Sequence, residues 1–209
     1  MTGGRAPVRG DARPASAVVD GRSARAERTR RRIVDAHLDL ISEGNLRTSP
    51  ERIVERAGVS LRTLWTNFKD IESLHYAVNE RLMQRLDAQY RMVRVDTALP
   101  QRVVEFSEQR GRLLDILAPA ARAVQARVPT PALREARSGH HRRSRMEIEY
   151  VFARELAAAG PQREELTRAL LTMTSSAAWA VLRDELALDL PTSTGILART
   201  VAALLAGYR

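Results

Sequence analysis

Apolar residues recur at helical spacing along most of this chain. Ile33, Ala36, Leu40 and Ile41 fall at i, i+3, i+7 and i+8, which predicts a first helix from Ala24, stopped at Glu43-Gly44. Ser49 followed by Pro50 has the form of an N-cap and first helical position, so a second helix runs from there to Ala57 and ends at Gly58. Ser60 caps a third, to about Phe68. Asp70 opens a longer fourth helix, with Ile71, Leu74, Val78, Leu82, Leu86, Tyr90 and Val93 on one face. Pro100 suits the first turn of a fifth, with Val103, Phe106, Leu113, Leu114 and Leu117 inward and a break near Pro119. After a linker at 128–131, residues 132–159 read as helical with an interruption at Ser138-Gly139. Gly160-Pro161 then starts a helix to about Leu186, and Pro191 precedes a last one to Ala206. No run alternates with the period of two that a strand needs, so the fold class is all-α.

The last two helices carry a seam of small and apolar residues: Leu170, Met173, Ala177 and Ala180 on one, Ile196, Thr200, Val201 and Leu204 on the other. Two readings are open. The seam is either an ordinary core hairpin, or a dimer interface in which two such hairpins form a four-helix bundle, the reading preferred here.

Residues 1–23 mix Gly, Ala, Arg and Pro without periodicity and are expected to form a disordered basic arm. Charge sharpens the division. The chain of 209 residues has a net charge of +9, and one Lys, Lys69, among its 34 basic residues. An Arg excess also follows from a coding bias toward Arg, but its distribution is uneven. Residues 1–69 hold 14 basic and 8 acidic residues, an excess of +6 in a third of the chain. A polyanion is the natural partner for that third. There is no Cys, hence no disulfide, thiolate metal site or Cys nucleophile. No signal-peptide apolar core or membrane-length apolar run is present, and a cytoplasmic location is expected.

The stretch from Glu55 to Leu74, ERAGVSLRTLWTNFKDIESL, places two short helices around a Gly58-Val59-Ser60 bend, the plan of a helix-turn-helix. On a helical wheel Leu64 and Phe68 point inward with Ile53, Ala57 and Val59. Arg62 and Thr66 lie opposite, flanked by Thr63 and Trp65. Guanidinium, hydroxyl, methyl and indole N–H groups are what contact with base edges and phosphates uses. The DNA-facing set is therefore Leu61, Arg62, Thr63, Trp65, Thr66, Asn67 and Lys69, with Thr48 before the second helix. Arg28, Arg30 and Arg31 are candidates for an arm along an adjacent groove, or merely solvate a helix start. Trp65 as a packing residue and Arg62 as a solvated charge are the plain alternatives.

Residues 28–75, RTRRRIVDAHLDLISEGNLRTSPERIVERAGVSLRTLWTNFKDIESLH, resemble the N-terminal domain of the TetR family of bacterial transcriptional regulators. That family's pattern runs Thr-Thr or Thr-Ser, Ile-Ala-x-x-Ala-Gly-Val-Ser, Thr-Leu-Tyr-x-His-Phe-x-x-Lys-x-x-Leu. The resemblance implies a homodimer with a DNA-binding domain (24–70) and a variable helical ligand-binding and dimerisation domain (71–209). It makes Thr48 a phosphate contact and Thr63 a base or backbone contact. Trp65 and Asn67 stand where Tyr and His are usual, Ile71 where Lys is, and Val54 where Ala is. By the same resemblance a small molecule bound within residues 100–185 would shift the fourth helix and release a palindromic double-stranded operator. The expectation is a repressor with no cofactor and no membrane contact; an architectural DNA-binding protein without effector is the alternative.

No catalytic constellation stands out, so an enzyme is not expected. His140 and His141 diverge by about 100° on a helix, wrong for chelating one ion, and no metal site is expected. His37 lies in an apolar stripe and reads as a buried residue rather than a sensor. The run His140-His141-Arg142-Arg143 with Arg145 is open to a second anion site for an acidic ligand or DNA, but reads first as a solvated helix start.

Overall fold

The computed structural model describes residues 16–45, 47–125 and 130–208, with backbone alone for 16–22 and 124–125. They form helices α1 (Ser16–Ser42), α2 (Pro50–Ala57), α3 (Leu61–Asn67), α4 (Ile71–Gln89), α5 (Leu99–Gln125), α6 (Pro131–Val151), α7 (Ala153–Ala158), α8 (Arg163–Met173), α9 (Ser176–Ala180) and α10 (Leu190–Gly207), with no strand among them. A 3-10 turn at Gly160–Gln162 precedes α8, and a π turn at Val181–Glu185 follows α9. No helix among the described residues is long and apolar enough to cross a membrane.

Local capping sets the first helices where the sequence places them. The Ser49 side chain accepts from the Arg52 N–H, Ser60 from Thr63 and Asp70 from Ser73, with the Ser73 hydroxyl returning to the Asp70 N–H as a capping box. Gly58 closes α2 at φ 62°, ψ 42°, a left-handed position that costs glycine little.

Two apolar cores organise the chain. Ile33, Leu38 and Leu40 of α1 meet Ile53, Leu64 and Phe68 of α2, α3 and its cap, together with Leu74, Val78, Leu82 and Leu86 of α4 and Leu117 of α5. This core continues past residue 70: α4 is built into it for four turns. The second core joins Val103, Phe106 and Leu114 of α5 with Ile148, Leu156, Leu170, Trp179, Val201 and Leu205. α5 runs through both, and α10 packs chiefly along it.

Several expectations are corrected. α1 begins at Ser16, so the last part of the expected disordered arm is helical; residues 1–15 lie outside the described residues. Ile71 and Tyr90 are exposed, and Val93 is buried in the second core, beyond the end of α4. α5 continues through Pro119, because Leu117 and Ala123, buried on either side of it, hold the helix across one lost hydrogen bond. α6 passes Ser138-Gly139 unbroken, its buried face of Ala132, Ser144, Ile148 and Val151 outweighing a glycine cost of about 1 kcal/mol. It breaks instead at Phe152. The expected linker falls partly on 128–129, outside the described residues, while Thr130 caps α6 and Pro131 is its first residue. The helix expected from Gly160 to Leu186 breaks at Thr174-Ser175, where Ser175 caps α9 through the Ala178 N–H.

Candidate nucleic-acid interface

α3 is seven residues long and stands only because both of its ends and its rear face are held. Leu64 is fully buried and Phe68 nearly so, anchoring the rear to the first core. At the N-terminus, Ser60 Oγ accepts from the Thr63 N–H at 3.1 Å and lies 2.9 Å from the Thr63 hydroxyl. At the C-terminus, Arg30 of α1 donates through Nη1 to the Asn67 carbonyl at 2.7 Å, its guanidinium 4.2 Å from the Phe68 ring centre. Two residues on, Arg32 donates to the Ala57 carbonyl at 2.6 Å, and more weakly to that of Gly58 at 3.4 Å. Two α1 arginines thus neutralise the exposed carbonyl ends of both helices of the bend.

The face turned to solvent holds Arg62, Trp65, Thr66 and Lys69. Trp65 is 44% exposed and Leu61 38%, values that a core role for the indole does not allow. Arg62 and Lys69 have no ion-pair partner among the described residues. Thr66 donates its hydroxyl to the Arg62 carbonyl at 2.7 Å and keeps its methyl and lone pairs outward. Thr63 and Asn67 are half-buried; the Asn67 amide donates to the Thr63 carbonyl at 2.8 Å, stiffening the helix. Thr48 is half-buried before α2, donating to the Asn45 carbonyl at 3.0 Å.

The arginine arm divides. Arg28 is exposed, and Arg31 makes an open pair with Glu27 at 3.4 Å. Arg30, assigned by sequence to the groove-following arm, is turned inward onto Asn67 and Phe68, so its role is to position α3. Exposed Arg47 and Arg52, on either side of the α2 N-cap, are further cations the motif did not point to; their charge and place beside a helix start were the available signal.

The seam assigned to a subunit interface also divides. Leu170 and Val201 are fully buried in the second core of their own chain, because the periodicity that makes a face apolar does not say what covers it. Met173 and Ala177 are exposed, while Ala180, Ile196, Thr200 and Leu204 are half-buried. His37 is buried, its ring 5.7 Å from that of His75 on α4. The run from His140 to Arg145 lies in the middle of α6, not at its start. Arg143 there pairs with Asp87, and Arg145 with Glu149 and Glu164. Above the first core, a cleft of about 370 Å³ opens between α4, α5 and α6.

No family model matches the chain, and no curated protein does. Among solved structures it is similar to a transcriptional regulator from Rhodococcus sp. Rha1, with a TM-score of 0.66 at 19% identity, covering 85% of this chain and 96% of that one. It is also similar to a transcriptional regulator of the TerR/AcrR family from Aquifex aeolicus VF5, with a TM-score of 0.55 at 20% identity, covering 84% and 99%. This chain therefore has the fold of those two regulators, a helix-turn-helix domain at the N-terminus joined to a larger all-helical domain.

Proposed function

We propose that the protein is a DNA-binding transcriptional regulator of the TetR type, a homodimeric repressor released from a palindromic operator by a small molecule. The observation that carries the reading is α3 itself. A seven-residue helix is clamped by Ser60, Arg30, Leu64 and Phe68, and turns Arg62, Trp65 and Thr66 outward. So much restraint on so short a helix, with a large aromatic and an unpaired cation on its free side, suits insertion in a major groove. One such helix offers few base contacts. Two in a dimer, about 34 Å apart, add their free energies. The exposed face around Met173 and Ala177 is proposed as the dimer contact, and the cleft beside α4 as the effector site, which favours a ligand-controlled regulator over an architectural protein.

Selection of bound duplexes from a random pool tests the reading. A palindromic consensus is expected. Against it, Trp65→Ala and Arg62→Ala should each lose about 1–3 kcal/mol of binding, with the circular dichroism spectrum unchanged. Equal affinity for selected and random DNA would refute specific recognition.

A further inference from the structure

What the outward face of α3 can offer a base depends on which of its polar groups are still free. At about 100° of turn per residue, Leu61, Trp65, Arg62 and Thr66 stand across that face in this order, with Thr63 and Asn67 at its edge. Most of the polar groups are already engaged. The Thr66 hydroxyl gives its proton to the Arg62 carbonyl at 2.7 Å, and the Asn67 amide donates to the Thr63 carbonyl at 2.8 Å. The Ser60 and Thr63 hydroxyls meet at 2.9 Å, and Ser60 Oγ also takes the Thr63 N–H, so one donor proton is left between them. With its nitrogen turned back onto the helix, Asn67 cannot present amide oxygen and nitrogen together to an adenine edge. No carboxylate lies between Val59 and Lys69 to accept from a cytosine amino group.

The groups that remain are a guanidinium and apolar surface. Arg62, exposed and without a carboxylate partner among the described residues, matches the paired O6 and N7 acceptors of guanine. Leu61 and Trp65, four residues apart and both exposed, make one apolar strip on one side of it. Thr66, on the other side, has spent its proton on the backbone and turns its methyl outward. Lys69, exposed just past the helix, adds a cation suited to a phosphate backbone. In the major groove the apolar group that a base edge presents is the 5-methyl of thymine. From Leu61 to Thr66 the helix rises about 7.5 Å, a little over two base-pair steps.

We infer that α3 reads each operator half-site through one guanine, by Arg62, and through thymine methyl groups within about two base pairs of it, by Leu61 with Trp65 and by the Thr66 methyl. The inference rests on α3 being the reading surface proposed above, and adds which bases it recognises.

The test uses the full chain and the duplex it selects from a random pool. Each thymine is replaced in turn by deoxyuridine, which removes the methyl and keeps every hydrogen-bonding group, and each guanine by 7-deazaguanine, which removes N7. Loss of one contacted methyl is expected to weaken binding about fourfold, and about tenfold or more when both half-sites carry the change. Loss of N7 from the contacted guanine is expected to cost about tenfold. Thr66→Ser keeps the hydroxyl bonded to the Arg62 carbonyl and removes only the methyl, while Leu61→Ala shortens an exposed side chain. Each variant should become indifferent to deoxyuridine at the position its own side chain meets, and still respond at the other. Specific binding that no deoxyuridine weakens, or that no 7-deazaguanine weakens, overturns the inference and leaves the reading surface in place. So does a deoxyuridine effect that persists undiminished in both variants, since it then reports DNA shape. If a variant does not fold, the base series on the unaltered protein and the remaining variant still decide. Equal affinity for selected and random duplexes overturns the reading surface itself, and this inference with it.

Discussion

At the scale of single residues, α3, proposed above as the reading helix, is held by side chains at its ends and rear face. Under that proposal a positioning arginine such as Arg30 and a phosphate-binding arginine differ in what salt does to their loss. A phosphate contact releases counterions, so removing one lowers the slope of log affinity against log salt by about 0.9, whereas removing a positioning residue lowers affinity and leaves the slope. Arg30→Ala is expected to weaken operator binding with an unchanged slope and faster amide exchange in α3, while Arg62→Ala shifts the slope or the base preference. Glycines divide similarly. A Cβ on Gly111 would lie 2.7 Å from Thr194 Oγ1 and 3.0 Å from the Trp179 ring, where α5 and α10 touch. On Gly139 its nearest neighbour would be the flexible end of Arg142, 3.9 Å away. Gly111→Ala should therefore destabilise by about 1–3 kcal/mol in urea unfolding, and Gly139→Ala stabilise by about 0.5–1 kcal/mol. Neither residue differs from the other in sequence, because a close approach by a distant helix leaves no local mark.

At the scale of elements, α4 is the part that joins the first core, which holds α3, to the cleft. Asp35 of α1 accepts from Arg81 Nε at 2.8 Å and from Arg85 Nη2 at 3.1 Å, and the Glu72 carboxylate accepts from the Ala132 N–H at the start of α6 at 3.0 Å. Burial pushes the Asp35 pKa up, but the two guanidinium groups outweigh it and hold the carboxyl below its ordinary value. A depressed carboxylate pKa stabilises the folded state above the unfolded value and ceases to do so as pH falls through the folded one. The stability gap between the native chain and Asp35→Asn should thus be full above about pH 4 and close in more acid solution, as read by urea midpoints across that range. Element boundaries set by neighbours in sequence, such as Ser49-Pro50, Gly58 and Ser60, were legible, since a cap is satisfied within three residues. Pro119 and Gly139 were not, because packing far along the chain keeps α5 and α6 whole. Ser175 was a legible cap that the apolar run around it concealed.

At the scale of the whole molecule, two cores share α5, and the segment 173–181, whose Trp179 enters the second core, also carries exposed apolar residues. Met173 is 40% exposed and Val181 41%, with exposed Ala177 between them in sequence. An apolar strip of this kind is costly in water and is the surface proposed to meet a second copy. The seam read from sequence includes Met173 and Ala177 of this strip but not Val181, and mixes with them Leu170 and Val201, whose cover is their own chain. Met173→Asp combined with Ala177→Asp places charge on the exposed positions and leaves the buried ones alone, so the subunit should fold with an unchanged helix signal. If the strip is the dimer contact, sedimentation will show a monomer, and operator affinity will fall by about a hundredfold or more as the second reading head no longer binds at high effective concentration. A variant that remains dimeric at the same concentration, with undiminished affinity, would place the contact elsewhere on the helical domain while leaving α3 as the reading surface.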